Sequence, residues 1–393
     1  MPVAGAAERP IRVMPIRVMH VIAGLEIGGA ETMLANLVCA RPPALEQSVV
    51  TLIPGGALEP RVSGAGAPMF ALGMRRGRPS AGGLWRLVRL IRRERPDVLQ
   101  SWMYHADLAG TLALGLSGCR GQVRHAWNLR CSDMESRDYG LAFRAVRAAW
   151  SALVPRADLL IANSAAGLQY HVDHGMKAAR TLLVPNGIDT ARFRPDPDAR
   201  ARVRAALGLA PQRRLVAVVA RVDPMKDHAG FLSALDALPG VAALLVGRGT
   251  EALPAPADVL RLGERQDIPD LLAAADLIVN SSAYGEGFSN ALAEGMAAAL
   301  PAVATDVGDA KLILGDTGAI CRPRDPRGLA EAMRRLLNED AEQHRRRAAA
   351  ARQRIVEHFS LEACVARFVE TYRELTRARA APERDDAISA PGR

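Results

Sequence analysis

The stretch Asn280–Ala297, NSSAYGEGFSNALAEGMA, gathers the residue types that bind a charged, hydroxylated ligand. An apolar run ends at Val279–Asn280, a glycine-rich loop follows, and a helical pattern begins near Phe288–Ser289. Such a loop aims helix N–H donors and the positive end of the helix dipole at an anion. Gly285 and Gly287 let a ligand approach the backbone closely. Glu286 stands just before the helix and Glu294 inside it. At ~1.5 Å per helical residue they lie about 10–12 Å apart along the chain. Two carboxylates so spaced can accept paired hydroxyls at the two ends of a sugar nucleotide, with the diphosphate at the N–H groups between them. The plainer reading makes Glu286 a helix cap and Glu294 a solvated helix residue.

A second cluster is VARVDPMKDH, where Arg221 and Lys226 flank a turn at Pro224. Two cations at the carboxyl end of a strand suit a diphosphate leaving group. Lys226 is one of only three lysines, with Lys177 and Lys311, in a chain whose basic residues are otherwise arginine. A third piece, LVGRGTE, places Gly247 and Gly249 after an apolar run. It is half of a dinucleotide fingerprint, and the full G-x-G-x-x-G form is absent. A loop in LGERQDIPDLL, Leu262–Leu272, is placed to hold a nucleotide base with backbone groups.

These pieces need strands whose carboxyl ends face a common cleft. Short apolar runs alternate with longer helical patterns along the whole chain. Strands are expected at Ile16–Ile22, Ser48–Ile53, Met69–Leu72, Val98–Ser101, Val123–Trp127, Leu159–Ala162 and Leu182–Val184. After NGIDTARFRPDPD the pattern restarts, with strands at Leu215–Ala220, Ala242–Val246, Val259–Leu262, Leu277–Val279, Ala302–Ala304 and Gly318–Cys321. Alternation over this length predicts an α/β protein of two tandem Rossmann-like domains facing across a cleft. Ligands of open α/β sheets bind at the carboxyl ends of the strands. The expected divisions are an extension over 1–14, a first domain over 15–195, a second over 196–358, a closing helix over 359–376 that packs back on the first domain, and a disordered tail over 377–393.

Composition narrows the class. The chain has 393 residues, 49% of them hydrophobic, which excludes a disordered polymer and suits two cores. Net charge is +9 and unevenly spread. Arg75, Arg76, Arg78, Arg86, Arg89, Arg92, Arg93 and Arg95 meet only Glu94 and Asp97 between Met74 and Asp97. An Arg-rich composition accounts for part of this, and attraction to an anionic partner is the other reading. Cys39, Cys119, Cys131, Cys321 and Cys364 have no CxxC spacing and no His at zinc-site spacing, so they read as reduced packing residues, and no metal site is expected. No apolar run reaches the ~18–20 residues of a membrane helix, and MPVAGAAERP lacks the apolar core of a signal peptide. A cytoplasmic protein is expected.

As a set, the motifs resemble the family 4 retaining glycosyltransferases of the GT-B fold over about residues 16–376. They are GGAE at Gly28–Glu31, Asn163–Ser164, VPNGID at Val184–Asp189, Arg221 with Lys226, GRGTE at Gly247–Glu251, and Glu286 with Glu294. Trp102–Leu108, WMYHADL, is most similar to bacterial polysaccharide and lipopolysaccharide transferases. The resemblance implies transfer of a hexose-type sugar from a nucleotide diphosphate donor, such as a UDP-sugar, to a glycan or lipid-linked acceptor, with no metal and no cofactor. Arg221 and Lys226 would neutralise the diphosphate, Glu286 would meet the donor sugar, and Glu294 would hold the ribose. Gly287, Phe288, Ser289 and Asn290 would offer backbone groups, and Gly28, Gly29 and Gly247 would approach the nucleotide. Many members carry a His at the end of the fourth strand. Trp102 stands there in this chain, with His105 three residues on, and whether His105 takes the role is open. Retention in the family is attributed to same-face attack assisted by the donor phosphate. Two rivals need other features: a sugar-nucleotide epimerase needs clustered acid/base residues at the sugar, and a non-enzymatic sugar-nucleotide or nucleic-acid binder needs interleaved aromatics. Peripheral contact with an anionic membrane through Arg75–Arg95 is a further expectation, with no nucleic-acid partner.

Overall fold

A computed structural model describes residues 14–75, 77–78, 80–130 and 141–380. The readings made on residues 1–13, Arg76, Cys131 and residues 381–393 fall outside the described residues.

The first domain is built from β1 (Ile16–Ile22), α1 (Gly29–Cys39), β2 (Leu45–Thr51), α2 (Glu59–Gly64), β3 (Met69–Ala71), α3 (Ala81–Glu94), β4 (Val98–Trp102), α4 (Met103–Ser117), β5 (Arg124–Leu129), α5 (Leu141–Leu153), β6 (Leu159–Ala162), α6 (Ala165–Asp173) and β7 (Thr181–Leu183). The second continues with α7 (Pro197–Ala206), β8 (Leu215–Val219), α8 (His228–Leu235), β9 (Ala242–Val246), β10 (Val259–Gly263), α9 (Ile268–Ala274), β11 (Leu277–Asn280), α10 (Asn290–Ala297), β12 (Ala302–Thr305), α11 (Ala310–Leu314), β13 (Ala319–Cys321), α12 (Pro326–Leu337) and α13 (Ala341–His358), before α14 (Leu361–Ala380).

Every strand pairing within the two sheets is parallel, in the orders β3-β2-β1-β4-β5-β6-β7 and β10-β9-β8-β11-β12-β13. Each order reverses direction once, between β1 and β4 and between β8 and β11, and the crevice at such a switch point is where ligands bind. Strands covered by helices on both faces are apolar on both, as in LVAVV of β8 and AALLV of β9. The α/β reading with two Rossmann-like sheets is therefore correct.

Three helices escaped the periodicity. α2 is six residues long and α11 five, too short to show a helical face. α7 starts inside RPDPD, which reads as a domain boundary. Asp196 caps it by accepting the Ala199 N–H at 2.8 Å, and Pro197 takes the first helical position, where its missing N–H costs nothing.

The chain crosses between the sheets twice. Asn186–Asp189 leads into the second domain, and Phe359–Leu361 leads back beside it, with Ile188 N–H donating to Phe359 O and Leu361 N–H to Ile188 O, both at 2.8 Å. Gly187 is required at this crossing, because a Cβ there would lie 2.7 Å from Cys364 Cβ and 2.8 Å from Leu361 Cα. α14 then covers the first sheet. Cys364, Val365, Phe368, Tyr372 and Leu375 join Val18, Trp102 and Ile161 in one core, and Tyr372 Oη donates to Gln100 Oε1 at 2.6 Å. α14 runs to Ala380, four residues past the expected end at 376, so the reading of a tail from 377 is corrected.

Candidate functional site

The carboxyl ends of β8 and β11 lie side by side at the second switch point. β8 leads into Ala220–Arg221, and a single 3₁₀ turn at Pro224–Lys226 follows beside the strand end. Asp223 fixes that turn. Its carboxylate accepts the Met225 N–H at 3.0 Å and pairs with Arg221 at 2.9 Å. Ala283 N–H donates to Met225 O at 2.7 Å and Ser281 Oγ to Lys226 O at 2.8 Å, so the loop after β11 is bonded to the turn after β8.

This stitching places Lys226 Nζ 2.5 Å from Glu286 Oε2, and Ser282 Oγ donates to the same oxygen at 2.7 Å. Asn280 ties the base of the loop, accepting the Ser282 N–H at 3.1 Å and donating to Ser289 Oγ at 2.8 Å. Both members of the ion pair are largely covered. Glu286 does not cap α10: Ser289 is the N-cap residue, and its side chain makes no cap hydrogen bond. Among the described residues, the backbone N–H groups of Gly287, Phe288, Ser289 and Asn290 donate to no protein acceptor. They form, with the dipole of α10, a ready anion cradle beside the ion pair. Gly308 closes the loop from outside, since a Cβ there would sit 2.3 Å from Glu286 O. Phe288 itself is buried against Phe359, with ring centroids 5.4 Å apart, so only its backbone faces the site. Gly295 lets α10 lie directly on β11, because a Cβ would meet Ile278 at 2.7 Å.

Glu294 lies one helical face further along, in a cavity of about 80 Å³ between the two domains. Gly29, Asn36, Arg61, Asn186, Asn290 and Arg192 share its lining. The protein packed around it pushes its carboxyl up to about 7, with Arg192 opposing. Gly29 thus faces Asn290 and Glu294 across the cleft. Gly28 stands next to it in the chain. It is the N-cap residue of α1, and the Glu31 carboxylate folds back so closely that a Cβ would meet it at 2.3 Å. Gly247 likewise has a packing cause. Its φ is +141°, and a Cβ would strike Ala220 O at 2.3 Å, so it seats β9 against the strand end that carries Arg221.

In the first domain, Trp102 is wholly buried. Its indole N–H donates to His20 Nδ1 at 3.3 Å, and Phe368 and the Arg130 guanidinium pack on its ring. Nothing of Trp102 reaches the cleft. His105 is exposed on the first turn of α4, just past the carboxyl end of β4. The turn is abrupt, with Met103 at φ +70°. His105 belongs to the first domain and the Lys226–Glu286 pair to the second, so the structure does not bring them together within one sheet.

Sequence reasoning alone missed a polar seam joining the domains. Arg130 bonds Asn128 Oδ1 at 3.0 Å and Asn186 Oδ1, to which Asn163 also donates at 3.2 Å. Asn186 Nδ2 then donates to Asn290 Oδ1 at 2.7 Å, on the first residue of α10. Asp309 clasps from the other side, accepting the Ala165 and Ala166 N–H groups at 2.9 Å each, at the start of α6. Asn163–Ser164 and VPNGID were visible as motifs. The structure supplies their physical cause: Ser164 caps α6, and Asn163 and Asn186 hold the seam.

Comparisons with known proteins agree with this geometry. Residues 27–192 match the family described as Glycosyltransferase Family 4, and residues 213–339 match Glycosyl transferases group 1. EpsF of Bacillus subtilis (strain 168), a glycosyltransferase by its name, is 28% identical over 74% of this chain and 79% of its own. The D-inositol 3-phosphate glycosyltransferase of Mycobacterium sp. (strain KMS) is 33% identical over 50% of this chain, and the match spans 48% of that protein. Among solved structures, HepE of Anabaena in complex with UDP-glucose superposes with a TM-score of 0.77 at 23% identity, over 91% of this chain and 100% of that one. WaaG, a glycosyltransferase involved in lipopolysaccharide biosynthesis, superposes at 0.67 with 17% identity, over 90% and 99%. With two facing Rossmann-like sheets and both halves matched to the same kind of enzyme, the chain belongs to the family 4 glycosyltransferases of the GT-B fold.

Proposed function

We propose that this glycosyltransferase is a retaining hexosyltransferase that works without a metal ion or other cofactor. It moves a sugar from a nucleotide diphosphate donor, of the UDP-sugar type, to a glycan or lipid-linked acceptor in cell-surface polysaccharide synthesis at the cytoplasmic face of the membrane. The observation that carries this reading is the Lys226–Glu286 pair beside the undonated N–H groups of α10, at the switch point of the second sheet. The diphosphate seats on those N–H groups and on Lys226 and Arg221. Their positive charge stabilises the leaving group as the anomeric carbon–oxygen bond breaks. Glu286, released from Lys226 by the incoming phosphate, turns to the hydroxyls of the donor sugar. Glu294 takes the ribose hydroxyls, and Gly29 closes from the first domain. The acceptor hydroxyl attacks on the face the nucleotide leaves and passes its proton to a donor phosphate oxygen. His105 contacts the sugar from the first domain.

The HepE complex with UDP-glucose supports a UDP-sugar donor, and the role of WaaG in lipopolysaccharide biosynthesis supports a cell-surface glycan as product. The test is a thermal-shift and hydrolysis screen of the purified protein against UDP-, GDP- and ADP-sugars. One donor class should raise Tm and be slowly hydrolysed. Conversion of the donor to an isomer with no acceptor present would replace this reading with epimerisation.

A further inference from the structure

The strands of the second sheet border a cavity of about 490 Å³ at their amino ends. Its walls come from Arg214 just before β8, Asp276 just before β11, the Ala298–Leu300 turn between α10 and β12, and the starts of α7 and α13. The sheet is parallel, so this cavity lies at the opposite edge from the crevice of Lys226 and Glu286. α10 runs between the two, with the open N–H groups at its start and the cavity wall at its end. Its eight residues span about 12 Å at ~1.5 Å per residue.

Apolar residues such as Ala275, Ala298, Leu300 and Ala348 make up most of the lining. The polar residues fall into two sets. One set holds the fold together. Asp196 caps α7, Asp276 accepts the Leu215 N–H at 2.8 Å and pairs with Arg200 at 2.6 Å, and Arg200 also donates to Ala275 O at 2.7 Å. Arg345 is exposed and pairs with Glu342 at 2.7 Å. Arg214 and His344 form the other set. Among the described residues, the half-buried Arg214 guanidinium makes no hydrogen bond or ion pair. His344 Nδ1 is buried and has no hydrogen-bond partner. The two side chains are close enough to interact. Burial first, and the Arg214 charge next, hold the His344 imidazole below its ordinary value, with Arg200 adding to this and Asp276 and Glu339 opposing it. A guanidinium and an imidazole side by side with no acceptor between them leave donors unanswered in a partly buried place.

We propose that this cavity binds a small phosphomonoester, its phosphate taken by Arg214 and His344 and its organic body lying on Ala275, Ala298 and Leu300. A guanidinium offers a phosphate two parallel N–H groups, and His344 adds a third donor from Nδ1. The volume and the mainly apolar walls with a few convergent polar groups are those of a small-molecule site. Inorganic phosphate alone would satisfy the donors and leave the apolar walls wet, so the organic body adds affinity. The inference does not depend on the transfer reading, since it uses no residue of the donor crevice.

Titration calorimetry of the full-length chain with phenyl phosphate, inorganic phosphate, sulfate and phenol tests this. Phenyl phosphate should bind at least ~10-fold more tightly than inorganic phosphate or sulfate, because its ring covers apolar wall, and phenol should not bind. Arg214→Gln should weaken phenyl phosphate at least ~10-fold, as expected for loss of a charge-assisted bond. It should leave Tm unchanged, because the side chain holds nothing in the fold. Arg214→Lys, which keeps the charge and loses the fork, should retain part of the affinity. Arg221→Gln, a change in the donor crevice, should leave phenyl phosphate binding as it is. A local readout comes from the His344 imidazole resonance, identified by its loss in His344→Gln. It should titrate at higher pH with phenyl phosphate bound, because an anion beside it favours the charged ring. Equal binding by Arg214→Gln, a His344 resonance that ignores the ligand, or weakening by Arg221→Gln would each overturn the proposal. So would sulfate binding as tightly as phenyl phosphate, which would show a nonspecific anion site. Donor hydrolysis, read on the same preparations, keeps the two readings apart. Its absence from the wild type would remove the transfer site and leave this one standing, and Arg214→Gln should retain it in full.

Discussion

The two sheets repeat one strand order, and they use its switch point in opposite ways. In the second domain the crevice between β8 and β11 holds Arg221, Lys226, Ser282 and Glu286, each fixed by bonds from the neighbouring loop. In the first, the corresponding ground between β1 and β4 is filled. Trp102 lies against His20, Arg130 and Phe368, and α14 from the far end of the chain closes over it. Topology thus offers two equivalent crevices, and the residues at the strand ends decide which one binds and which one packs. A substitution at the first crevice should act on stability, and one at the second on chemistry.

The largest effect tests the packed side. Trp102→Ala removes a fully buried indole that touches α14 and should cost about 3–5 kcal/mol of stability. Urea unfolding measures it. Under conditions where the variant stays folded, donor hydrolysis should remain within a few-fold of wild type. A variant of normal stability and lost activity would place Trp102 in the site and erase the contrast.

On the binding side, Glu286→Gln and Lys226→Ala should each lower kcat/KM by at least ~10²-fold, as expected for a charge contact that strengthens in the transition state. Each single change also strands a largely covered partner and destabilises the fold. Lys226→Met with Glu286→Gln should restore Tm toward wild type without restoring activity. Recovery of both together would mean that the pair is only structural.

Glu294 sharpens the comparison through pH. Its carboxyl titrates near 7 in the folded chain because surrounding protein disfavours the charge. A raised carboxyl pKa means the native state holds the proton more tightly than the unfolded one. Stability from this group therefore falls as pH rises from the unfolded value through about 7. Glu294→Gln should flatten that slope and gain roughly 1–2 kcal/mol relative to wild type above this window. Glu294→Ala should weaken nucleotide binding by roughly 1–3 kcal/mol, and the wild-type advantage over Glu294→Gln should grow as the carboxylate ionises. A pH-independent difference would place the ribose elsewhere.

His105 is the one proposed side-chain contact from the first domain, and its effect should be smaller. Loss of a single neutral hydrogen bond is worth about 1 kcal/mol, so His105→Ala should lower kcat/KM by about fivefold. Unchanged kinetics would leave the first domain with no side chain in the chemistry.

These contrasts follow what the chain could disclose unaided. The strands were legible because a parallel strand covered on both sides must be apolar at nearly every position, as in LVAVV and AALLV. Lys226 and Glu286 were legible because they sit in loops at strand ends, where no core requirement explains a charge. Their direct bond was not, since 60 residues separate them and it takes the β8–β11 pairing and the loop-to-turn bonds to join them. Arg130, Asn186 and Asp309 were hidden for the same reason. Asn186 and Asp309 act across the domain boundary and Arg130 braces Asn186, and a single sequence carries no sign of which remote residue completes a polar contact. Gly247 reads as a ligand-approach glycine in the sequence, yet its close neighbours are protein, the backbone of Ala220 and Arg221.

The smallest expected effect is the response to chelation, and it follows from how the second crevice is charged. A diphosphate leaving group needs positive charge near its bridging oxygen, supplied by a cation or by the protein. Here Lys226 and Arg221 stand at the strand end, and the α10 N–H groups open beside them. The carboxylate best placed to bind a divalent ion, Glu286, is already neutralised by Lys226 and bonded by Ser282. Excess EDTA should therefore leave the transfer rate within about twofold of the untreated enzyme, as expected where protein cations alone stabilise the leaving group. The experiment pairs EDTA treatment with Lys226→Ala: the wild type should ignore the chelator, and added Mg²⁺ or Mn²⁺ should not rescue the variant. Abolition by EDTA that either ion restores would show that the crevice recruits a metal despite its own charge, and the metal-independent reading would fall.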